Sequence, residues 1–113
     1  MAARSQSPAR RARSRPSAQQ LLPHAERAAA LLKALANEQR LLILCNLLEG
    51  PLAVGELNER VELSQSALSQ HLAVLRESNI VATTRESQTI RYSLPEGVVT
   101  QIITLLHAEF CQQ

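Results

Sequence analysis

The chain has 113 residues, of which 45% are hydrophobic, and this is enough for one domain with one modest core. Its two cysteines do not indicate a secreted disulfide scaffold, and no apolar run approaches the roughly 20 residues that span a bilayer, so a cytoplasmic protein without a membrane partner is expected. The net charge of +2 is uneven: residues 1–19 carry five arginines and no acid, and the remainder carries 7 basic and 10 acidic side chains.

The basic segment, residues 1–19, is rich in Ala, Arg, Ser and Pro and has almost no large apolar side chains. Such a composition predicts a disordered tail, with the folded domain in residues 20–113. The tail is either an arm that engages DNA phosphates or a solvated extension without a role. Its Arg-rich start also suits a transit peptide, whereas Arg10-Arg11 is followed by no apolar segment and gives no support to a twin-arginine export signal.

The first two helices are predicted from the spacing of apolar residues. One covers residues 20–35 and the other residues 38–49, with Asn37 as its N-terminal cap and Gly50-Pro51 as a sharp end. The side chains expected to face inward are Ala28, Leu31, Leu32 and Leu35 in the first helix and Leu41, Leu44, Cys45 and Leu48 in the second.

The spacing of apolar residues predicts two short helices, within residues 53–61 and 63–76. A tight connection joins them, as in a helix-turn-helix. Their apolar stripes are Val54, Leu57 and Val61 in one and Leu68, Leu72 and Leu75 in the other. The opposite face of the second helix is polar and uncharged except at its end, with Gln65 at its edge and with Ser66, Ser69, Gln70, Ala73 and Arg76. Ser and Gln hydrogen-bond to base edges, whereas a merely solvated helix more often carries Glu and Lys. The pattern therefore favours a DNA-recognition helix over an ordinary amphipathic helix.

Two β-strands are predicted next, at residues 80–84 and 89–94. The segment 85–88 between them lacks Gly, which predicts a longer, mobile loop instead of a tight turn. This hairpin would be the wing of a winged helix. Its exposed Arg85, Gln88 and Arg91 could reach a phosphate or a minor groove, and a solvated strand face is the alternative for each arginine.

The last helix is predicted to open at Pro95-Glu96, because Pro is tolerated in a first turn and Glu suits the positive end of the helix dipole. Its apolar residues cover too wide an arc for a lone surface helix: Val98, Val99, Ile102, Ile103, Leu105, Leu106 and Phe110. Part of this surface is therefore expected to pack against a partner.

Residues 25–111 resemble the ArsR/SmtB family of winged-helix repressors. The resemblance is carried by Glu56-Leu57, by Leu63-Ser64-Gln65-Ser66 and by Ser69-Gln70-His71-Leu72. It implies a mainly α fold with a small β-hairpin, in the order α-α-α-α-β-β-α, which forms a homodimer through its first and last helices and binds double-stranded operator DNA. One departure is Glu62, where relatives commonly place Gly. A left-handed conformation there would cost about 1–2 kcal/mol, so a slightly reshaped turn is expected.

From composition alone, each cysteine has an ordinary explanation: Cys45 as a small buried hydrophobe and Cys111 as a frayed end. Many family members sense metals, but the Cys-x-Cys position here reads Val54-Gly55-Glu56-Leu57, and the chain contains no Asp. A metal-responsive repressor would have to use His107, Glu109 and Cys111, so neither a metal nor another cofactor is predicted.

Leu42-Ile43-Leu44-Cys45 and Glu109-Phe110-Cys111 are similar to the BigR/YgaV/SqrR-type repressors, which respond to persulfide and related reactive sulfur. The resemblance implies that Cys45 and Cys111 form a sensing dithiol. A relaxed disulfide needs Cα atoms about 4.4–6.8 Å apart. We hypothesise that the two cysteines are slightly too far apart for a relaxed disulfide. A polysulfide bridge would then be favoured, and the protein would react with sulfane sulfur in preference to peroxide.

The resulting prediction is a DNA-binding repressor that reactive sulfur releases from its operator. His71 is expected to lie at the edge of the groove and to donate to a phosphate, and no constellation typical of an enzyme is present. The alternatives are a metal-responsive repressor, a winged-helix protein–protein interaction module and a thiol redox enzyme. The predicted DNA contacts are Ser64, Gln65, Ser66, Ser69, Gln70, His71, Arg76, Arg85, Gln88 and Arg91.

Overall fold

The computed structural model describes residues 17–111, so nearly all of the predicted tail lies outside the described residues. The chain divides into two units, Met1–Leu31 and Leu32–Gln113. Within 17–111, no helix is both long and apolar enough to cross a membrane.

The first unit contains helix α1 (Ala18–Leu21), a 3-10 turn (Leu22–His24) and the start of helix α2 (Ala25–Leu35). The Ser17 hydroxyl caps α1 by accepting the Gln20 N–H at 3.2 Å. The predicted uninterrupted helix over residues 20–35 is therefore wrong at its start. The interruption contains Pro23, which lacks an N–H and so cannot donate an α-helical hydrogen bond, although Leu22 before it keeps the right-handed helical conformation.

Helix α3 (Glu38–Leu47) begins at the predicted cap, where the Asn37 Oδ1 accepts the N–H groups of Gln39 at 2.9 Å and Arg40 at 3.1 Å. The helix ends two residues before the predicted end. Its predicted inward stripe is also displaced, because three side chains of the stripe, Leu41, Cys45 and Leu48, are only half-buried. The fully inward side chains of α3 are Ile43, Leu44 and Leu47.

Helices α4 (Val54–Arg60) and α5 (Gln65–Glu77) confirm the predicted helix-turn-helix. The Ser64 hydroxyl caps α5 by accepting the Ala67 N–H at 3.1 Å. Glu62 does not adopt a positive φ, so the turn avoids the left-handed conformation and its cost, as expected for a non-Gly residue at this position. The leucines of both predicted stripes are at most 2% exposed: Leu57, Leu68, Leu72 and Leu75.

Helix α5 ends in a Schellman motif that sends the chain towards the sheet. The Ile80 N–H donates to the Leu75 carbonyl at 2.9 Å, and the Asn79 N–H donates to the Arg76 carbonyl at 3.0 Å. Asn79 has a φ of 58°, a left-handed conformation that Asn tolerates better than most residues. Ile80 is 2% exposed, so the end of the helix is anchored in the core.

The predicted hairpin is confirmed as β2 (Ala82–Glu86) and β3 (Thr89–Ser93), and β3 also pairs with a two-residue strand β1 (Leu52–Ala53) that was not predicted. The predicted long loop is wrong. Glu86 pairs with Thr89, which leaves a two-residue turn. Ser87 has a φ of 60° in this turn and so supplies the left-handed residue that Gly would ordinarily provide. The first strand also starts two residues later than predicted, because Ile80 still belongs to the turn that ends α5, where its N–H donates to the Leu75 carbonyl.

Helix α6 (Val98–Phe110) begins after Gly97, later than the predicted start at Pro95-Glu96. Gly97 has a φ of 152°, which L side chains rarely adopt. The preceding turn is held by the Thr100 hydroxyl, which donates to the Pro95 carbonyl at 2.7 Å. The buried side chains of α6 are Val99 and Ile103, whereas Val98, Leu105, Leu106 and Phe110 are exposed in the single chain.

Candidate nucleic-acid interface and thiol pair

The outer face of α5 presents the polar side chains that the sequence singled out. Because Leu68, Leu72 and Leu75 are buried on the opposite face, the polar positions remain accessible. The cap at Ser64 also fixes where the first turn begins, and the free amides of that turn attract anions such as phosphate. The exposed residues of this face are Ser64, Gln65, Ser66, Ser69, Gln70 and Arg76.

A cleft of about 560 Å³ lies between α5 and the wing, where Ser69 and Arg76 face Tyr92 of β3. Ala73 and Glu77 complete the lining. Tyr92 is only 9% exposed, so it serves as a wall of the cleft. Sequence reasoning placed Ser69 and Arg76 on one face but had no means of finding Tyr92, which the tertiary structure brings against them.

His71 is half-buried at the flank of α5. Its Nδ1 lies 3.4 Å from the Arg40 Nη1. A guanidinium only donates, so Nδ1 must accept, and the neutral ring then carries its hydrogen on Nε2, the nitrogen free to donate elsewhere. Arg40 is held in turn by its Nε, which donates to the Ala34 carbonyl at 2.6 Å. Sequence analysis missed Arg40 because it lies 31 residues from His71.

Arg85 and Gln88 lie exposed near the tip of the wing. The Arg85 Nε donates to the Ser87 carbonyl at 3.4 Å. Neither Arg76 nor Arg85 forms an ion pair with a carboxylate of residues 17–111. Their charges are therefore available to phosphates.

Arg91 has a different environment from Arg85. Its Nε donates to Glu86 Oε1 at 3.0 Å and its Nη1 donates to Glu56 Oε1 at 3.1 Å. The same Glu56 oxygen accepts the Ala53 N–H at 2.8 Å. The pKa of Glu56 is lowered chiefly by this backbone N–H and further by the positive charge of Arg91. Glu56 was not predicted to have this role, although a Glu at the third helical position is one half of a capping box.

The two thiols are free and lie on neighbouring helices. Cys45 is half-buried on α3 and Cys111 is exposed at the end of α6, and these helices pack together. The pKa of Cys45 is raised, mainly by burial and also by the negative charge of the Cys111 thiolate. A groove of about 330 Å³ opens beside Cys45 and is lined by Cys45, Leu48, Glu49, Thr104, His107 and Ala108.

The residues suggested for an alternative metal site are not brought together. Over 17–111, no three His, Cys or Glu side chains are arranged so that they could hold a metal ion. His107 instead lines the groove beside Cys45. Its position there was not predicted.

Comparisons with known proteins agree with this geometry. Residues 37–83 match the family described as bacterial regulatory protein, arsR family. The chain is 53% identical over 94 residues to the transcriptional activator HlyU of Vibrio cholerae, covering 83% of this chain and 87% of that protein. The reduced form of HlyU superimposes with a TM-score of 0.77 over 83% of this chain and 99% of its own.

Repressors and regulators of other bacteria are also similar. The transcriptional repressor BigR of Xylella fastidiosa is 40% identical, with a TM-score of 0.77 over 87% of this chain and 100% of its own. The regulator YgaV of Escherichia coli is 45% identical over 93 residues, covering 81% of this chain and 94% of that protein.

Proposed function

The chain belongs to the ArsR family of bacterial regulatory proteins and is a DNA-binding transcriptional regulator, not an enzyme. From this premise we propose that it is a homodimeric repressor that reactive sulfur species release from a near-palindromic operator by linking Cys45 to Cys111. The observation that carries the proposal is the combination of an exposed, uncharged polar face on α5 with a pair of thiols on α3 and α6.

The DNA-binding part of the proposal rests on α5 and the wing. Gln65, Ser69 and Gln70 are exposed amides and hydroxyls that can read base edges in the major groove. Arg76 and Arg85 flank this face with charges that no described carboxylate neutralises. Phosphate contacts by such arginines would position the helix, and the amides would supply sequence preference.

A homodimer is supported by the apolar surface that a single chain leaves exposed. Leu105 and Phe110 of α6 are 68% and 75% exposed, and Leu32 of α2 is 55% exposed. Exposed large apolar side chains on the first long helix and on the last helix are of the kind that a protein partner covers. A two-fold dimer would present two α5 helices to half-sites about one helical turn of DNA apart.

The proposed sensing chemistry begins at the more exposed thiol. The Cys111 thiolate attacks the terminal sulfur of a persulfide, the parent thiolate leaves, and a Cys111 persulfide forms. The Cys45 thiolate then attacks the Cys111 Sγ, HS⁻ leaves and a disulfide results. If Cys45 has also been persulfidated, attack of the Cys111 persulfide on the Cys45 Sγ expels HS⁻ and gives a trisulfide. The S–S bond of the effector supplies the oxidising equivalents in both routes.

Such a bridge would join α3 to α6, and α3 also packs against the recognition helix α5. A covalent link at Cys45 can therefore alter the packing that supports α5. By linkage, the bridge weakens operator binding only to the extent that it favours a conformation with poorer affinity for DNA.

The test uses a duplex selected from a random-sequence library by the reduced, full-length protein. Binding to this duplex is titrated with protein that is reduced, treated with a persulfide, or loaded with zinc. We expect salt-dependent binding by the reduced protein and release after persulfide treatment. Cys45→Ser and Cys111→Ser should bind like the reduced wild type and should remain bound after treatment. A reporter under a promoter containing the selected site gives the direction of regulation.

Other outcomes would identify the alternatives. Release of Cys45→Ser by persulfide would contradict the dithiol mechanism. A two-proton mass loss with peroxide and no added sulfur with persulfide would contradict the preference for a polysulfide bridge over a disulfide. Zinc-dependent release that survives loss of both thiols would indicate a metal sensor. A complete lack of salt-dependent DNA affinity would indicate a protein–protein interaction module.

A further inference from the structure

Arg91 occupies the junction between the wing and the helix-turn-helix. Its strand β3 pairs with β1, with Ala53 opposite Arg91. The chain passes directly from Ala53 into α4 at Val54. The backbone of Arg91 is thus adjacent to the N-terminus of the first helix of the helix-turn-helix.

The side chain of Arg91 strengthens this connection. Its Nη1 lies 3.1 Å from Glu56 Oε1, and its Nε lies 3.0 Å from Glu86 Oε1 at the other strand of the hairpin. Glu56 is in the first turn of α4 and also accepts the Ala53 N–H. One guanidinium therefore joins both strands of the wing to the start of α4, and its side chain is only 34% exposed.

We propose that Arg91 is a positioning residue, which sets the orientation of the wing relative to the helix-turn-helix through Glu56 and does not bind a phosphate. The proposal rests on the proposed binding of operator DNA by α5 and the wing. Its physical reason is that two carboxylates compensate the charge of Arg91, so a phosphate would have to displace at least one of them. Arg85, six residues earlier and outside the described ion pairs, is the phosphate contact of the wing.

The substitution Glu56→Gln distinguishes a positioning role of Arg91 from a phosphate-binding role, because the two roles predict opposite changes in DNA affinity. Removal of a negative charge near DNA alone should tighten binding, whereas loss of the ion pair to Arg91 should weaken it. Gln can still accept the Ala53 N–H, so the helix cap is retained. The matched control is Glu59→Gln, an equal charge change at an exposed residue of α4 that takes part in no described ion pair.

We expect Glu56→Gln and Arg91→Gln each to weaken binding of the selected duplex by about two- to fivefold, as for loss of a partly exposed ion pair. The double variant should bind no more weakly than Arg91→Gln alone, because loss of the Arg91 guanidinium already breaks its ion pair with Glu56. Glu59→Gln should bind at least as tightly as the wild type. In plots of log affinity against log salt concentration, Arg85→Gln should reduce the slope by about one per lost contact, whereas Arg91→Gln should leave it unchanged.

The proposal is overturned if Glu56→Gln tightens binding as Glu59→Gln does, or if Arg91→Gln reduces the salt slope as Arg85→Gln does. Amide hydrogen exchange of the free protein tests the positioning role of Arg91 independently of DNA binding. Glu56→Gln and Arg91→Gln, but not Glu59→Gln, should speed exchange of the amides in β1 and β3. Unchanged exchange in both variants would contradict the positioning role even if the protein bound no DNA.

Discussion

Arginines of the wing illustrate how the function of a residue depends on its immediate partners. Arg85 and Arg91 lie on paired strands of one hairpin and were predicted to have the same role. Arg91 is held by Glu56 and Glu86, whereas Arg85 makes a long hydrogen bond to the carbonyl of Ser87. The sequence identifies both cations, but their partners lie up to 35 residues away.

The thiols differ in a similar way, which leads to a prediction about the order in which they react. Burial and the nearby Cys111 raise the pKa of Cys45, so at neutral pH less of this thiol is the reactive thiolate. Cys111 is exposed. We expect an alkylating agent to label Cys111 before Cys45 at neutral pH. The labelling rate of Cys45 should keep rising with pH above 9.0, the ordinary pKa of a thiol.

Peptide mass mapping over time measures this order. Cys111→Ser provides the control, because it removes the smaller cause of the raised pKa and leaves the burial of Cys45 in place. Labelling of Cys45 in this variant should therefore remain slow. Equal rates for both thiols in the wild type would show that Cys45 is not protected.

Among the elements, α5 combines a face that packs into the core with a face that we propose reads DNA. Its buried leucines form part of the core, and its exposed amides contribute nothing to that core. The spacing of Leu68, Leu72 and Leu75 predicted this division, because side chains three and four positions apart share one face of a helix. The strand β1, by contrast, is two residues long and exists only because β3 pairs with it.

Substitutions on the two faces of α5 should have opposite consequences. Leu72→Ala should lower the free energy of unfolding by about 2–5 kcal/mol through loss of buried surface and the cavity that remains. Gln70→Ala should change it by less than about 0.5 kcal/mol and should cost about 1–3 kcal/mol of discrimination between duplexes. Gln101→Ala, an exposed Gln on α6, is the control and should alter neither quantity.

Urea unfolding at one fixed protein concentration measures the free energy of unfolding. Competition between the selected duplex and its single-base variants measures the discrimination. A large stability loss in Gln70→Ala would mean that this side chain packs in the folded protein. Unchanged discrimination would remove it from the set of base contacts.

At the scale of the whole molecule, the apolar surface of α6 determines the expected assembly. Four of its large apolar side chains are exposed to solvent in the single chain. A dimer would cover them and would also couple two recognition helices to one operator.

Leu105→Glu places a charge in this surface and should shift the protein from dimer to monomer. Operator affinity should fall with it, because a monomer engages one half-site. Sedimentation equilibrium measures the assembly, and Gln101→Glu adds the same charge at another exposed position of α6. If the wild type sediments as a monomer, the proposed dimer is wrong. If Leu105→Glu remains dimeric, the dimer interface does not include this surface of α6.

Local sequence patterns were sufficient to predict the order of the main helices, the hairpin, the caps at Asn37 and Ser64 and the polar face of α5. These follow from spacing and local hydrogen bonds, which act over three or four residues. The turn at Ser87-Gln88 escaped prediction because it uses a left-handed Ser where Gly is usual. The folded chain was needed to show that Glu56 pairs with Arg91, that Arg40 contacts His71 and that Cys45 is half-buried near Cys111. Such pairings join distant parts of the chain, and no local pattern of residues encodes which of several similar side chains will meet.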